Sequence, residues 1–140
     1  MLSGQPIHVY SLLIRESHLD TFGHVNNATY LSLFEEARWD LITQNGFGLR
    51  EVKLSGTGPV ILEINIKYLK EIKLRENVRI ETVLLEMSGK LQTLKQTLLN
   101  EKNEECTVAV FKFGLFDTKE RKLIPPTPAW LKAINYVEAK

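Results

Sequence analysis

The sequence predicts an α+β fold built from one long helix, five strands and a short closing helix. Three observations carry this. A helical period runs from about Asn27 to Gln44, and a period of two governs the strands that follow. No linker, internal repeat or low-complexity tract divides the 140 residues, which suffice for one domain over residues 1–140 with a buried core. One helix cannot cover both faces of such a sheet. It is expected to lie across one face, leaving the other open or paired with another subunit.

Each element follows from local pattern. Ile7–Arg15 is partly β-branched and aromatic and reads as a first strand. In the long helix, Tyr30, Phe34, Ala37 and Leu41 share one narrow face, with Ser32, Glu36 and Thr43 opposite; Gly46 and Gly48 supply the stop. Arg50–Pro59 reads as a loop. In VILEINIKYLK, Leu62, Ile64, Ile66 and Tyr68 alternate with Glu63, Asn65 and Lys67, the pattern of a half-buried strand. Asn77–Met87 and Leu91–Asn100 are strands joined at Ser88-Gly89-Lys90, and Thr107–Phe116 completes a four-strand meander. DTKERK is a solvated turn. Pro128 then opens a short helix expected over about Ala129–Glu138.

Composition excludes several classes. A formal net charge of +1 calls for neither nucleic acid nor an acidic membrane. The lone Cys106 forms no internal disulfide and reads as a packed thiol in a reducing compartment. The N-terminal stretch lacks a basic start followed by a long apolar run, and no window reaches the roughly 20 apolar residues of a membrane span. A cytoplasmic protein is expected. GxSxG, GxGxxG and P-loop patterns are missing, and SGTGP precedes a strand, the wrong setting for phosphate binding.

The chemistry concentrates in HLDTFGHVNNATYL, His18–Leu31. Asn26 or Asn27 can cap the helix through its side-chain oxygen. The unpaired N–H groups of the first turn, at the positive end of the helix dipole, form a site for developing negative charge. Asp20 lies before that end across a turn containing Gly23. It serves either as a turn or capping residue, or as a carboxylate that attacks a carbonyl or deprotonates water. His24 is either a solvated loop residue or an acid/base group, and His18 has no clear partner. The three make too sparse a set for a metal. On the helix, Glu35 sits at the flank with Leu31, Arg38 and Ile42, which requires either pairing with Arg38 or a raised pKa in a pocket. Trp39, toward the polar side, marks an interface.

The segment HLDTFGHVNNATYLSLFEEARWD resembles the hotdog-fold thioesterases of the 4-hydroxybenzoyl-CoA thioesterase type, and within them the bacterial long-chain acyl-CoA thioesterases. The likeness continues through VILEINIKYLKEIKLRENVRI and FDTKERKLIPP. It implies a curved antiparallel sheet wrapped around the long helix, with active sites at a subunit boundary of a dimer or dimer of dimers. It also implies hydrolysis of a medium- to long-chain acyl-CoA in fatty acid metabolism, without a cofactor. Asp20 matches the family carboxylate, acting as nucleophile or base. The Asn27 backbone N–H matches the oxyanion donor, His24 the histidine of the HVNN motif, and Glu35 is a reserve catalyst. His18 stands where many members carry an acidic residue, as in the long-chain branch. The resemblance leaves the CoA nucleotide near basic residues, Arg79 and Lys90 being two candidates. Two rivals share the architecture. A hydratase or dehydratase would use Asp20 and His24 and change enoyl absorbance without freeing thiol. A non-catalytic acyl-CoA or acyl-carrier-protein binding module would bind without releasing thiol.

Overall fold

The computed structural model describes residues 1–138. Its elements are β1 (Ile7–Leu13), α1 (Asn27–Gln44), α2 (Leu49–Ser55), β2 (Thr57–Tyr68), β3 (Asn77–Ser88), β4 (Leu91–Leu99), β5 (Glu105–Asp117), β6 (Lys122–Ile124) and α3 (Pro128–Ala133). The strands form one antiparallel sheet in the order β1-β3-β4-β5-β2, with β6 added to the end of β5.

α1 lies against the sheet and carries the core. Tyr30, Leu33, Phe34, Ala37, Leu41 and Ile42 are its buried residues, as the helical period demands. Phe34 meets Phe111 of β5 edge to face, with ring centroids 5.9 Å apart. A second cluster gathers at the far end of the helix around Phe47, Phe113 and Trp130. There the Trp130 indole N–H donates to the buried Gln92 side chain at 2.9 Å. Thr127 caps α3 through its hydroxyl, and Asn135, at φ 66°, follows its end. Cys106 is fully buried, and that burial pushes its thiol pKa up. No helix among the described residues is long and apolar enough to cross a membrane.

The structure corrects four expectations. The meander comprises β3, β4 and β5 only, because β2 pairs with β5 at the opposite edge from β1. Both edge strands then flank the helix. β1 reaches it through His8 and Tyr10, and β2 through Tyr68. The expected loop 50–59 contains α2, whose strong helix formers between two glycines were hidden by the SGTGP run; Gly56, at φ 69°, ends it in the left-handed region. DTKERK is a shorter turn than expected, since Lys122–Ile124 folds back onto β5 as β6. The closing helix stops at Ala133 rather than running to Glu138.

β2 departs from a half-buried strand. A bulge at Leu62 shifts its register, and Leu62, Ile64 and Tyr68 remain 49%, 42% and 49% exposed. The result is an edge strand with an uncovered apolar side.

Candidate active site

The segment between β1 and α1 is a tight, self-bonded loop. Leu19 and Val25 form an isolated antiparallel bridge, and the Asp20 N–H donates to the His24 carbonyl at 2.8 Å. Gly23 holds φ 78°, which closes the turn. One carboxylate oxygen of Asp20, Oδ1, accepts the Phe22 N–H at 2.9 Å and the His24 N–H at 3.2 Å. The second oxygen, Oδ2, takes no hydrogen bond among the described residues. Asp20 therefore holds the turn through one oxygen and leaves the other without a protein partner among the described residues.

At the helix start the Asn26 side chain accepts the Ala28 N–H at 2.8 Å, and the Asn27 side chain reaches the same N–H at 2.9 Å. Both asparagines thus serve one donor. The Asn27 N–H has no acceptor among the described residues, so the first amide of an 18-residue helix stays free at its positive end. On the other side of that residue, the Tyr68 hydroxyl donates to the Asn27 carbonyl at 3.0 Å and its ring packs edge to face on Tyr30. Tyr30 titrates above its ordinary value, chiefly through burial.

The sequence-designated residues fall into two places. Asp20, His24 and Asn27 belong to one loop and helix end, and His24 and Asn27 line a shallow depression with Tyr30, Tyr68, Lys70 and Glu71. Asp20 is not among its walls. The His24 imidazole sits 3.1 Å from Glu71, and of His24 only the backbone N–H bonds the Asp20 carboxylate among the described residues, so no Asp20–His24 side-chain dyad forms. Glu35 lies about 12 Å further along the helix axis, at eight residues and 1.5 Å each. It lines a separate cavity of about 190 Å³. Its expected pairing with Arg38 is not formed: the guanidinium donates to Gln96 Oε1 at 2.9 Å instead. Trp39 packs partly into the second core cluster and borders that cavity. His18 is structural, its Nδ1 accepting the Arg15 N–H at 2.9 Å.

Sequence reasoning missed Tyr68 and Glu71. By pattern Tyr68 is only a strand residue, and its position opposite the helix end depends on β2 lying at the far edge. Of the two basic residues considered for the nucleotide, Arg79 is engaged with Asn103 and Glu81. Lys90 sits at the β3–β4 turn. Leu91 faces Gly114 there, whereas Tyr68 faces Thr107, seven residues or about 24 Å along β5. The lysine that borders the depression is Lys70, which is ion-paired with Glu104.

Comparison with known proteins agrees with this architecture. The model of the thioesterase-like superfamily matches residues 14–134. The long-chain acyl-CoA thioesterase FadM of Escherichia coli (strain K12) is 32% identical over 112 residues, covering 79% of this chain and 84% of that protein. Among solved structures, a DHNA-CoA thioesterase from Staphylococcus aureus superposes with a TM-score of 0.81 at 25% identity, covering 91% and 87% of the two chains. The probable thioesterase YbaW from Escherichia coli superposes at 0.80 and 27% identity, over 92% of this chain and 99% of its own. An open antiparallel sheet around one long helix, joined to a family match that starts just after β1 and runs through α3, makes the chain a member of the thioesterase-like superfamily with the hotdog fold.

Proposed function

We propose that this protein is an acyl-CoA thioesterase of the cytoplasm, hydrolysing a medium- to long-chain acyl-CoA to the free acid and CoA. The observation that carries the reading is the free Asn27 N–H at the end of α1, on the same short loop that holds the Asp20 carboxylate with one oxygen uncommitted. In this reading the thioester carbonyl oxygen accepts the Asn27 N–H, and the helix end stabilises the charge that develops on it. Asp20 Oδ2 either attacks the carbonyl carbon or takes a proton from a water that does. The C–S bond then breaks, and the electron pair leaves with sulfur as the CoA thiolate. Where Asp20 has attacked, water then cleaves the acyl–Asp20 anhydride, releasing the free acid and restoring the carboxylate; where water has attacked, the acid forms directly. His24, held by Glu71, shapes the rim of the site. We place Glu35 beside the acyl chain rather than at the carbonyl, because of its distance along the helix. The imidazole's engagement with Glu71 rather than the Asp20 side chain counts against the hydratase reading, which needs the two side chains together.

We further propose a homodimer or dimer of dimers, with the uncovered edge of β2 pairing with a second copy. Support comes from the exposed Leu62, Ile64 and Tyr68 on an unpaired strand edge, a surface that isolated chains protect or bury. Ile64→Lys is expected to shift the sedimenting species toward monomer.

The deciding experiment is a chain-length panel of acyl-CoAs followed by release of free thiol with a disulfide dye. Turnover of at least one saturated acyl-CoA, abolished by heat and by Asp20→Asn, is the expected result. Binding of acyl-CoA with no thiol released would overturn the reading in favour of a binding module. Enoyl hydration without thiol would favour a hydratase.

A further inference from the structure

The cavity beside α1 contains a cation without an acid. Arg38 enters it from the helix, and its guanidinium lies 4.3 Å from the centroid of the Phe111 ring. Its one hydrogen bond among the described residues goes to Gln96 Oε1. Gln96 is fully buried and cannot turn, because its amide donates at 3.0 Å to both the Phe34 carbonyl and Thr82 Oγ1. The guanidinium is thus clamped in one orientation by neutral groups. No carboxylate lies within 4 Å of it among the described residues, and burial lowers its pKa to about 10. A guanidinium has five N–H donors, and only one is used here. Arg38 is half-buried, and a charge drawn this far out of water ordinarily carries a partner.

The walls otherwise suit a hydrocarbon. Trp39, Ile61, Phe113 and Trp130 line the space, with the Glu35 carboxylate at its edge, near enough to Arg38 to act on its charge but not paired with it. At about 190 Å³ the cavity exceeds the roughly 150 Å³ apolar hole that holds benzene, so it takes the last several carbons of a chain. Asn27, Leu31, Glu35, Arg38 and Ile42 fall along one side of α1 at 100° per residue. From Asn27 to Arg38 the axis rises about 16 Å, and the arginine side chain leans back toward the helix start. A chain whose carbonyl sits at the Asn27 N–H can therefore lie along this stripe with its far end in the cavity.

We propose that Arg38 and Glu35 form a specificity site for an acyl chain carrying a hydroxyl group at its distal end. The hydroxyl accepts from an unused Arg38 N–H and donates to Glu35, filling the gap between two charges that do not meet. A plain alkyl end leaves the guanidinium unpaired, and a distal carboxylate faces Glu35. The inference rests on the thioesterase reading for the position of the carbonyl, but the pocket can be tested without turnover.

The test is calorimetric binding of two neutral, unhydrolysable probes, octanamide and 8-hydroxyoctanamide, to the full chain and to Arg38→Met and Glu35→Gln. Replacing even a buried charge by an apolar residue of similar volume is commonly tolerated, so Arg38→Met, at a half-buried position, is expected to fold. Glu35→Gln, at an exposed position, is the second variant should it not. The hydroxylated probe is expected to bind at least about tenfold more tightly than octanamide to the wild type, as for a hydrogen bond to a charged group. The preference should fall below about threefold in Arg38→Met and be reduced in Glu35→Gln. Equal binding of the two probes, no binding of either, or a preference that survives both variants would overturn the proposal. So would an Arg38→Met protein that changes only its sedimentation, which would make Arg38 a subunit contact. In kinetics, where the carbonyl sits at Asn27 and the chain must span the distance to Arg38, kcat/KM for 12-hydroxydodecanoyl-CoA over dodecanoyl-CoA should follow the same order. If the probes behave as expected while no acyl-CoA is hydrolysed, the pocket stands and the thioesterase reading falls.

Discussion

Replacing Asp20 by Asn separates the two jobs of that carboxylate. Oδ1 holds the turn by accepting the Phe22 and His24 N–H groups, and Oδ2 is free for chemistry. Asparagine retains an oxygen for the first task and puts an amide NH₂ in place of the second. The two turn bonds weaken from charge-assisted to neutral, a difference of about 1 kcal/mol each before solvent screening at this half-buried position. A stability loss of at most about 1–2 kcal/mol follows. Loss of a positioned base costs about 10²–10⁴ in rate, equivalent to roughly 2.7–5.5 kcal/mol of barrier. The expected phenotype is therefore a folded protein, a KM within a few-fold of wild type and kcat down by at least two orders of magnitude. Asp20→Ala should lose the turn bonds as well, so its KM should rise along with the fall in kcat. Thiol release under saturating acyl-CoA, with urea unfolding on the same samples, measures all of this. An Asn variant with near-normal kcat, or one that fails to fold, would refute the division of labour.

Three further outcomes concern the scaffold. A Cβ on Gly114 would lie 2.8 Å from the Lys90 carbonyl and 2.9 Å from Leu123, so Gly114→Ala should cost about 1–3 kcal/mol in urea unfolding. Trp130→Phe leaves the Gln92 side-chain oxygen buried without its donor and should cost about 1–3 kcal/mol, with Trp130→Ala costing about 3–5 kcal/mol. Glu16 and Glu104 are held below the usual carboxylate value of 4.5 by Arg75 and Lys70, and Asp117 below 3.8 by the Glu120 and Lys119 N–H groups. A depressed folded pKa stabilises above the unfolded value and is lost as pH falls through the folded one, so the thermal midpoint should decline below about pH 4.5. That acid limb should be shallower in Glu16→Gln.

The sequence displayed the helix most fully. Its bounds, Asn27–Gln44, and its buried face follow from period and from an asparagine pair ahead of an apolar run, both local signals. The order of strands was not legible, because β2 and β3 are adjacent in the chain and nothing local says that β2 crosses to the other edge. That crossing is fixed by covering α1 on both flanks, a tertiary requirement. The loss of Tyr68 from the sequence reading has the same origin, since its hydroxyl finds Asn27 only across 41 residues of chain. Glu35 illustrates the converse. Its position at the polar–apolar flank was readable, but its partner was not, because Gln96 outcompetes it for Arg38 by being fixed in place from the neighbouring strands.

The free amide at Asn27 and the exposed edge of β2 are one structure rather than two. Tyr68 closes β2 and holds the Asn27 carbonyl, so the last residue of the edge strand sets the attitude of the first residue of the helix. Its ring is also fixed against Tyr30 from the helix side. An edge strand outside a sheet partner frays from its ends, and the end in question is the one that orients the site. A second copy laid along β2 would restrain that end without placing a single side chain at the reacting carbonyl. If β2 pairs with a second copy as proposed, assembly and catalytic competence would be coupled through one hydroxyl and one backbone carbonyl, and Tyr68→Phe, which removes that hydroxyl, is expected to lower kcat without changing the sedimenting species.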